Sequence, residues 1–544
     1  MTNPLRKRLK LLSLFWRSLT RDTDLAYDPL SLGFILRLTL NNGLTLWPAD
    51  RPEEWEVVED LRWNRGVKWF SGSQEYLAGL NLCQTDLKSV LDLSGLSSLE
   101  RLYISQNRLE AVIIDDNRRL RELHCSGNRL VKLNLGGAPD LVELDATGNQ
   151  LTEINLSRNK SLATLCVGRN RLTSLDLSGT PQIRRLIVDT NHLTELDLSP
   201  CRHLAYLAAY ENRLTGLEAS LCPRLETLNL ADNHLESGQL DLSQNTELAY
   251  ANLSNINLTD LNLSRNNKLW YLAASGNRLR ELDLTSQTAL THLVVSANVL
   301  ERLVVSQSRD LRTLDLADNR IESLDLSRNT GLWYVYAAVN RLGRIDLSAN
   351  SQLMILDLSQ NRLEELDLTA NLKLQRLYAS KNRLTRLDIS HNESLERLIA
   401  DNNPLGEIII RENQLASLKE LNLGGCRLPL SALIQCVGRG KDQTVLGPQT
   451  RVLFERLTLT PDRPRRLDLS AEASLDGCPT TFTILNEQKL PTPPEKAEVA
   501  GGLITFHQKG RYRIMMSNDR VVSRLAGQPQ PQKVKACTGW IDVE

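Results

Sequence analysis

Apolar and polar positions along the chain return in one fixed frame. The frame reads Leu-x-x-Leu-x-Leu-x-x-Asn-x-Leu and begins at Leu99, Leu120, Leu141, Leu162, Ile183, Leu204 and Leu225. After an insertion near Ser237 and Gly238 it resumes at Leu248, then continues from Leu269, Leu290, Leu311, Leu332, Leu353, Leu374 and Leu395. A further insertion precedes Leu418, and an imperfect first copy starts at Leu77. Uninterrupted copies are 21 residues apart. Alternation of apolar and polar residues predicts a short strand in the first half of each copy, with leucines inward and the x positions outward. The second half, as in Leu172-x-x-Leu175-x-Leu177, repeats the spacing. It is too short for a regular helix and predicts a second short strand on the opposite face. A single copy cannot bury its leucines, whereas copies stacked at the strand spacing of about 4.8 Å can.

Period and pattern together resemble leucine-rich repeats. The resemblance covers residues 77–428 and implies a β-rich solenoid of about 17 coils, acting as a binding scaffold and not as an enzyme. An asparagine ladder (Asn107, Asn128, Asn149, Asn170, Asn191, Asn212 and onward) fills one frame position in 14 of the 17 copies. A buried amide there is expected to satisfy turn backbone groups that no strand reaches. Thr85, Ile256 and Cys426 are the exceptions, and the last two follow the insertions.

Aromatic residues are sparse, so their placement carries information. Between residues 99 and 428 they are Tyr103, Tyr206, Tyr210, Tyr250, Trp270, Tyr271, Trp333, Tyr334, Tyr336 and Tyr378, all at outward positions of the first half-repeat. Rings serving the core would replace leucines, and a general preference of strands for aromatics would put them on both faces. The pattern therefore points to a partner-binding face made by Tyr206, Tyr210, Tyr250, Trp270, Tyr271, His292, Trp333, Tyr334, Tyr336 and Tyr378. In the solenoid implied by the resemblance this is the concave face. Tyr206, Tyr250, His292, Tyr271 and Tyr334 share one frame position and are expected to align. A protein with an apolar anchor and some positive charge suits the face, and a glycan stacking on the rings is the second ligand class.

Charge changes this picture little. Lys and Arg number 65 and Asp and Glu number 65, which disfavours a dedicated nucleic-acid binder. A row of arginines follows the ladder asparagine at 108, 129, 171, 213, 278, 320, 341, 362 and 383. It offers an alternative reading as a polyanion- or membrane-associated scaffold, against the plainer one that arginine stems cover the leucines beneath. Cys201 and Cys222 share a frame position in adjacent coils, within disulfide reach or as buried thiols. No cofactor motif, metal-ligand spacing or catalytic signature is present.

The ends fall outside the period. Residues 1–24 read as a basic amphipathic helix fit for a cap or for peripheral membrane contact, and no secretory signal or membrane span is evident. The sequence thus predicts a cytoplasmic protein, or one delivered by a specialised secretion machine. FILRLTLNNGLTLW predicts a hairpin and RPEEWEVVEDLRW a short helix, with Trp47, Trp55, Trp63, Trp69 and Phe70 as the core of an N-terminal cap. The expected divisions are 1–76 (helix and cap), 77–428 (solenoid), 429–460 (C-terminal cap and connection) and 461–544 (β-sandwich). In the last, HQKGRYRIMMSN resembles the Gly-x-Tyr-x-Cys strand of immunoglobulin-like domains. Tyr512 then stands as corner tyrosine, Ile514 in place of the cysteine and Ile484 in place of the core tryptophan. Repeats followed by such a module resemble bacterial leucine-rich repeat proteins.

Overall fold

The computed structural model describes residues 45–48, 77–94, 96–236, 240–411, 414, 418–434, 443–445, 449–459, 466–475, 478–523 and 532–543. The expected N-terminal helix, the Asn41-Asn42-Gly43 turn, the short helix over 51–63 and the cap-core residues Trp55, Trp63, Trp69 and Phe70 lie outside these residues. The chain forms two compact units, Met1–Leu258 and Thr259–Glu544.

In the first unit, Thr45–Pro48 pairs antiparallel with Leu77–Asn81 and opens a parallel ladder. The ladder continues through Arg101–Tyr103, Glu122–His124, Glu143–Asp145, Thr164–Cys166, Arg185–Ile187, Tyr206–Ala208, Thr227–Asn229 and Tyr250–Asn252. The register sets Leu102, Leu123, Leu144, Leu165, Leu186, Leu207 and Leu228 one above another, all fully buried. The second unit repeats the arrangement from Tyr271–Ala273 to Glu420–Asn422, with Leu272, Leu293, Leu314, Val335, Leu356, Leu377 and Leu398 in the corresponding column.

The asparagine ladder is structural. Asn340 Nδ2 donates to the Leu316 carbonyl of the preceding coil at 2.9 Å and to Ala337 and Ala338 of its own coil, while Oδ1 accepts the Ile321 N–H at 3.0 Å. One amide thus satisfies groups in two coils that the short strands leave open. The residue before the ladder asparagine turns the chain with a left-handed backbone, as in Asp318 (φ 55°), Gln360 (φ 56°) and Lys381 (φ 54°), with glycine at 127, 148 and 276.

A second amide row escaped the sequence reading. Asn350 Nδ2 donates to the carbonyls of Leu326 and Asn329, and Asn371 to those of Leu347 and Asn350. Cys201 and Cys222 stand in the same row of the first unit as buried free thiols, with Cys222 Sγ donating to the Cys201 carbonyl at 3.4 Å. Burial pushes these thiols up, to about 12 in Cys201 and about 11 in Cys222.

The second half-repeats differ from expectation. Among the described residues they pair as strands in three places only: Lys88–Asp92 with Arg108–Ile113, Glu281–Asp283 with Arg302–Val304, and Arg386–Asp388 with Glu407–Ile409. In each pair the later strand carries a β-branched residue (Ile113, Val304 or Ile409) where most copies have Asp. Branched side chains favour the pleated backbone. The aspartate closes its own turn in unpaired copies, where Asp346 Oδ1 accepts the Ser348 N–H at 2.9 Å. It does so too in the earlier strands of the pairs, where Asp283 and Asp388 accept from Thr285 and Ser390, so the branched residue of the later strand is what distinguishes the pairs.

Beyond Leu428, helix Leu430–Ile434 follows the last coil. Buried Glu472 accepts both the Ser431 hydroxyl (2.5 Å) and its N–H (3.1 Å), tying that helix to the C-terminal strands. These strands form two sheets. One has the order Gln449–Leu459, Gln532–Val543, Gly510–Ser523, Cys478–Leu485, Ser474–Leu475; the other Arg466–Asp468, Leu503–Phe506, Ala497–Ala500. Gln449–Leu459, expected to be connection, is a strand parallel to Gln532–Val543. Ile484 pairs with Ile514 across adjacent strands, and the Tyr512 ring meets Phe506 of the other sheet at 5.0 Å. Tyr512 Oη donates to the Gln508 carbonyl at 3.1 Å.

Candidate partner-binding face

Outward positions of the first half-repeats form the face. In the first unit, strand register sets Tyr206, Thr227 and Tyr250 in one row. The Arg185 guanidinium lies over the Tyr206 ring, 3.8 Å from its centroid. Tyr210 is half-buried, and burial with nearby Asp189 raises its hydroxyl pKa.

In the second unit the same row reads Tyr271, His292, Thr313, Tyr334, Ile355, Arg376. The row two residues on reads Asp315, Tyr336, Asp357, Tyr378. Trp270 and Trp333 open their strands from the adjoining position and are 45% and 37% exposed. Large apolar rings at this exposure are what buried contacts with a partner would consume.

The rings hold one another in two groups. Trp270 meets Tyr271 at 5.7 Å and His292 at 6.2 Å, both edge-on. Trp333 meets Tyr334 edge-on at 6.5 Å, and Arg312 covers the Trp333 ring at 4.5 Å. Such contacts fix ring orientation before any partner arrives, which lowers the ordering cost of binding. Desolvation raises the Tyr336 hydroxyl pKa, with Tyr334 and Asp315 adding to it.

One contributor was missed in the sequence. Val339, on the coil of Trp333, Tyr334 and Tyr336, is 39% exposed and has a left-handed backbone (φ 56°). A β-branched residue rarely takes this conformation. Other coils put Gly, a polar or charged residue, or Ala297 there, with Thr190 the other β-branched case, so a large apolar side chain at this position was visible in the repeat alignment.

The arginines at 108, 129, 171, 213, 278, 320, 341, 362 and 383 are all exposed. Arg108 pairs with Asp86 at 3.0 Å and Arg341 with Glu322 at 3.8 Å. Among the described residues no group of metal-ligating side chains is gathered, and no helix is long and apolar enough to cross a membrane.

No family model matches the chain, and no curated protein matches it by sequence. Solved structures do. The functional domain of InlJ from Listeria monocytogenes, described as including a cysteine ladder, is 24% identical, with 86% of this chain and 91% of that chain covered and a TM-score of 0.64. YopM from Yersinia enterocolitica is 27% identical over 69% of this chain and 78% of that one, with a TM-score of 0.58. The Arabidopsis receptor kinase HAESA, solved with the peptide hormone IDA and the co-receptor SERK1, is 20% identical over 72% and 75%, with a TM-score of 0.57.

Proposed function

We propose that this chain, a leucine-rich repeat protein similar in fold to bacterial internalin and YopM structures, is a non-enzymatic scaffold that binds a protein partner through its aromatic strand face. The observation that carries the reading is the pair of exposed tryptophans, Trp270 and Trp333, set among Tyr271, His292, Tyr334 and Tyr336 on the outward side of the ladder. Tyr378 extends this set in the second unit, and Tyr206, Tyr210 and Tyr250 form its counterpart in the first. The aromatic residues anchor, and the carboxylates and arginines between them select.

The exposed arginine row supports a second reading, in which a polyanion binds by charge. Affinity capture from native lysate separates the two. Wild type is compared with the Trp270→Ala, Trp333→Ala, Tyr334→Ala variant at low and high salt. A single protein retained in high salt and lost in the variant supports the aromatic face. Capture that survives the substitutions and washes off in salt moves the site to the arginines. A glycan ligand is read by the same variant against an oligosaccharide panel.

We also read residues 1–76 as a cap and the C-terminal strands, from 449 onward, as an immunoglobulin-like module. The support is the strand order above, with Tyr512 bonding back to the Gln508 carbonyl as a corner tyrosine does.

A further inference from the structure

One row of the aromatic face alternates carboxylate and ring. Strand register places Asp315 beside Tyr336, Tyr336 beside Asp357, and Asp357 beside Tyr378. All four side chains are half-buried. Asp315 accepts the Ala317 N–H at 3.1 Å and the Ser296 hydroxyl at 3.2 Å, and Asp357 accepts the Ser359 N–H at 2.9 Å. These bonds fix the carboxylates and leave lone pairs unused, since an ionised carboxylate offers about four acceptor sites. Among the described residues neither carboxylate is in an ion pair. The cations of this face stand in other rows: Arg312 with Trp333, Arg376 with Tyr334, and Lys381 in the turn after Tyr378.

A ring flanked by fixed carboxylates attracts a guanidinium or ammonium in two ways, through the ring face and through charge-assisted hydrogen bonds. The row provides this setting in full at Tyr336, between Asp315 and Asp357, and in half at Tyr378, between Asp357 and Ile399. The two rings are two coils apart, or about 9.6 Å at the strand spacing. A polyproline II segment returns to the same side every third residue and advances about 9.3 Å in doing so. An extended β-strand repeats its side every second residue, at about 6.7 Å, and misses this interval.

We infer that the Asp315–Tyr336–Asp357–Tyr378 row binds a polyproline II peptide segment carrying basic residues three apart, lying along the stack of coils. This rests on the reading of the aromatic face as a recognition surface and names the chemistry of what it recognises. One cation occupies the Asp315–Tyr336–Asp357 setting and the next the Asp357–Tyr378 setting. The apolar rings of Trp333 and Tyr334 border the segment on one side, and Val339 borders it on the other.

The test uses the full chain and fluorescently labelled proline-rich peptides of equal composition, read by anisotropy. One peptide has arginines three apart, a second has them two apart, and a third has glutamine in their place. The peptide with arginines three apart is expected to bind about tenfold tighter than either of the others. The Asp315→Asn, Asp357→Asn variant keeps the turn hydrogen bonds, since asparagine accepts the same N–H groups, and is expected to lose the preference. Asp346→Asn, Asp367→Asn on the opposite half-repeat removes equal charge and is expected to retain it. Equal binding of the two spacings, binding that survives the Asp315→Asn, Asp357→Asn change, or no binding of any peptide overturns the inference. The wider reading of the face fails separately, by captured partner that survives loss of Trp270, Trp333 and Tyr334.

Discussion

Arg312 lies over Trp333 of the next coil, with its guanidinium carbon 4.5 Å from the ring centroid. The two residues occupy the same frame position 21 residues apart, so the stacking of coils alone brings them together. An exposed pair of this kind contributes about 0.5–1 kcal/mol to folding. Trp333→Ala is therefore expected to lower unfolding free energy by no more than about 1 kcal/mol, measured by denaturant titration, while abolishing partner capture. A large loss of stability in this variant would mean that the ring serves the fold.

The ladder asparagines behave oppositely. Replacing Asn340 with Ala leaves the Ile321 N–H buried without its partner, while the Leu316 carbonyl keeps the Asn319 amide as its donor. An orphaned buried donor costs about 1–3 kcal/mol, so a loss of about 2 kcal/mol is expected in urea unfolding. Because each coil contacts only its neighbours, hydrogen exchange is expected to rise first in the coils beginning at Leu311 and Leu332. A uniform rise across the second unit would contradict this.

Thiol reactivity follows burial. Burial pushes Cys201 and Cys426 up to about 12, and Cys222 to about 11. At pH near 8 these groups stay protonated and enclosed, and the thiolate is the reactive form. Alkylation of these three by iodoacetamide is expected to be negligible in the native chain and complete after unfolding, as read by mass spectrometry. Rapid native labelling of Cys201 or Cys222 would show that this part of the stack opens.

The turn aspartates make stability depend on acid. Hydrogen bonds from the residue two ahead hold Asp325, Asp346 and Asp367 below the ordinary value of 3.8. A carboxylate with a lower pKa folded than unfolded binds fewer protons in the native state. Its contribution is thus present above about pH 4 and is lost as pH falls through the depressed native values. The Asp325→Asn, Asp346→Asn, Asp367→Asn variant keeps the turns without the titration. Its thermal midpoint is expected to fall less steeply than wild type between about pH 4 and about pH 2. An equally steep fall would place the acid sensitivity elsewhere.

At the other end of the second unit, Glu472 holds helix Leu430–Ile434 through both polar groups of Ser431. Glu472→Ala removes a buried charged acceptor, with an expected cost of about 2–3 kcal/mol. Limited proteolysis is expected to cut within Leu430–Ile434 faster in this variant. Unchanged cleavage would leave the contact without a structural role.

The period of 21 residues and the Leu-x-x-Leu-x-Leu spacing by themselves determined the stacked strands, the inward leucines, the asparagine ladder and the side on which every aromatic of the repeats emerges. Those are consequences of alternation and repetition, which are local properties of a chain. Tertiary structure decided what depends on meeting a particular neighbour. Among the described residues, strands form in the second half-repeat only where Ile113, Val304 or Ile409 follows a copy able to pair with it. Gln449–Leu459 becomes a strand because Gln532–Val543 arrives beside it from far along the sequence. Arg312 covers Trp333 by a choice of rotamer, and Asp315, Tyr336, Asp357 and Tyr378 become one row only when the coils stack in register. Periodicity fixes which residues face outward; the pairing of particular side chains across coils fixes what that surface can hold.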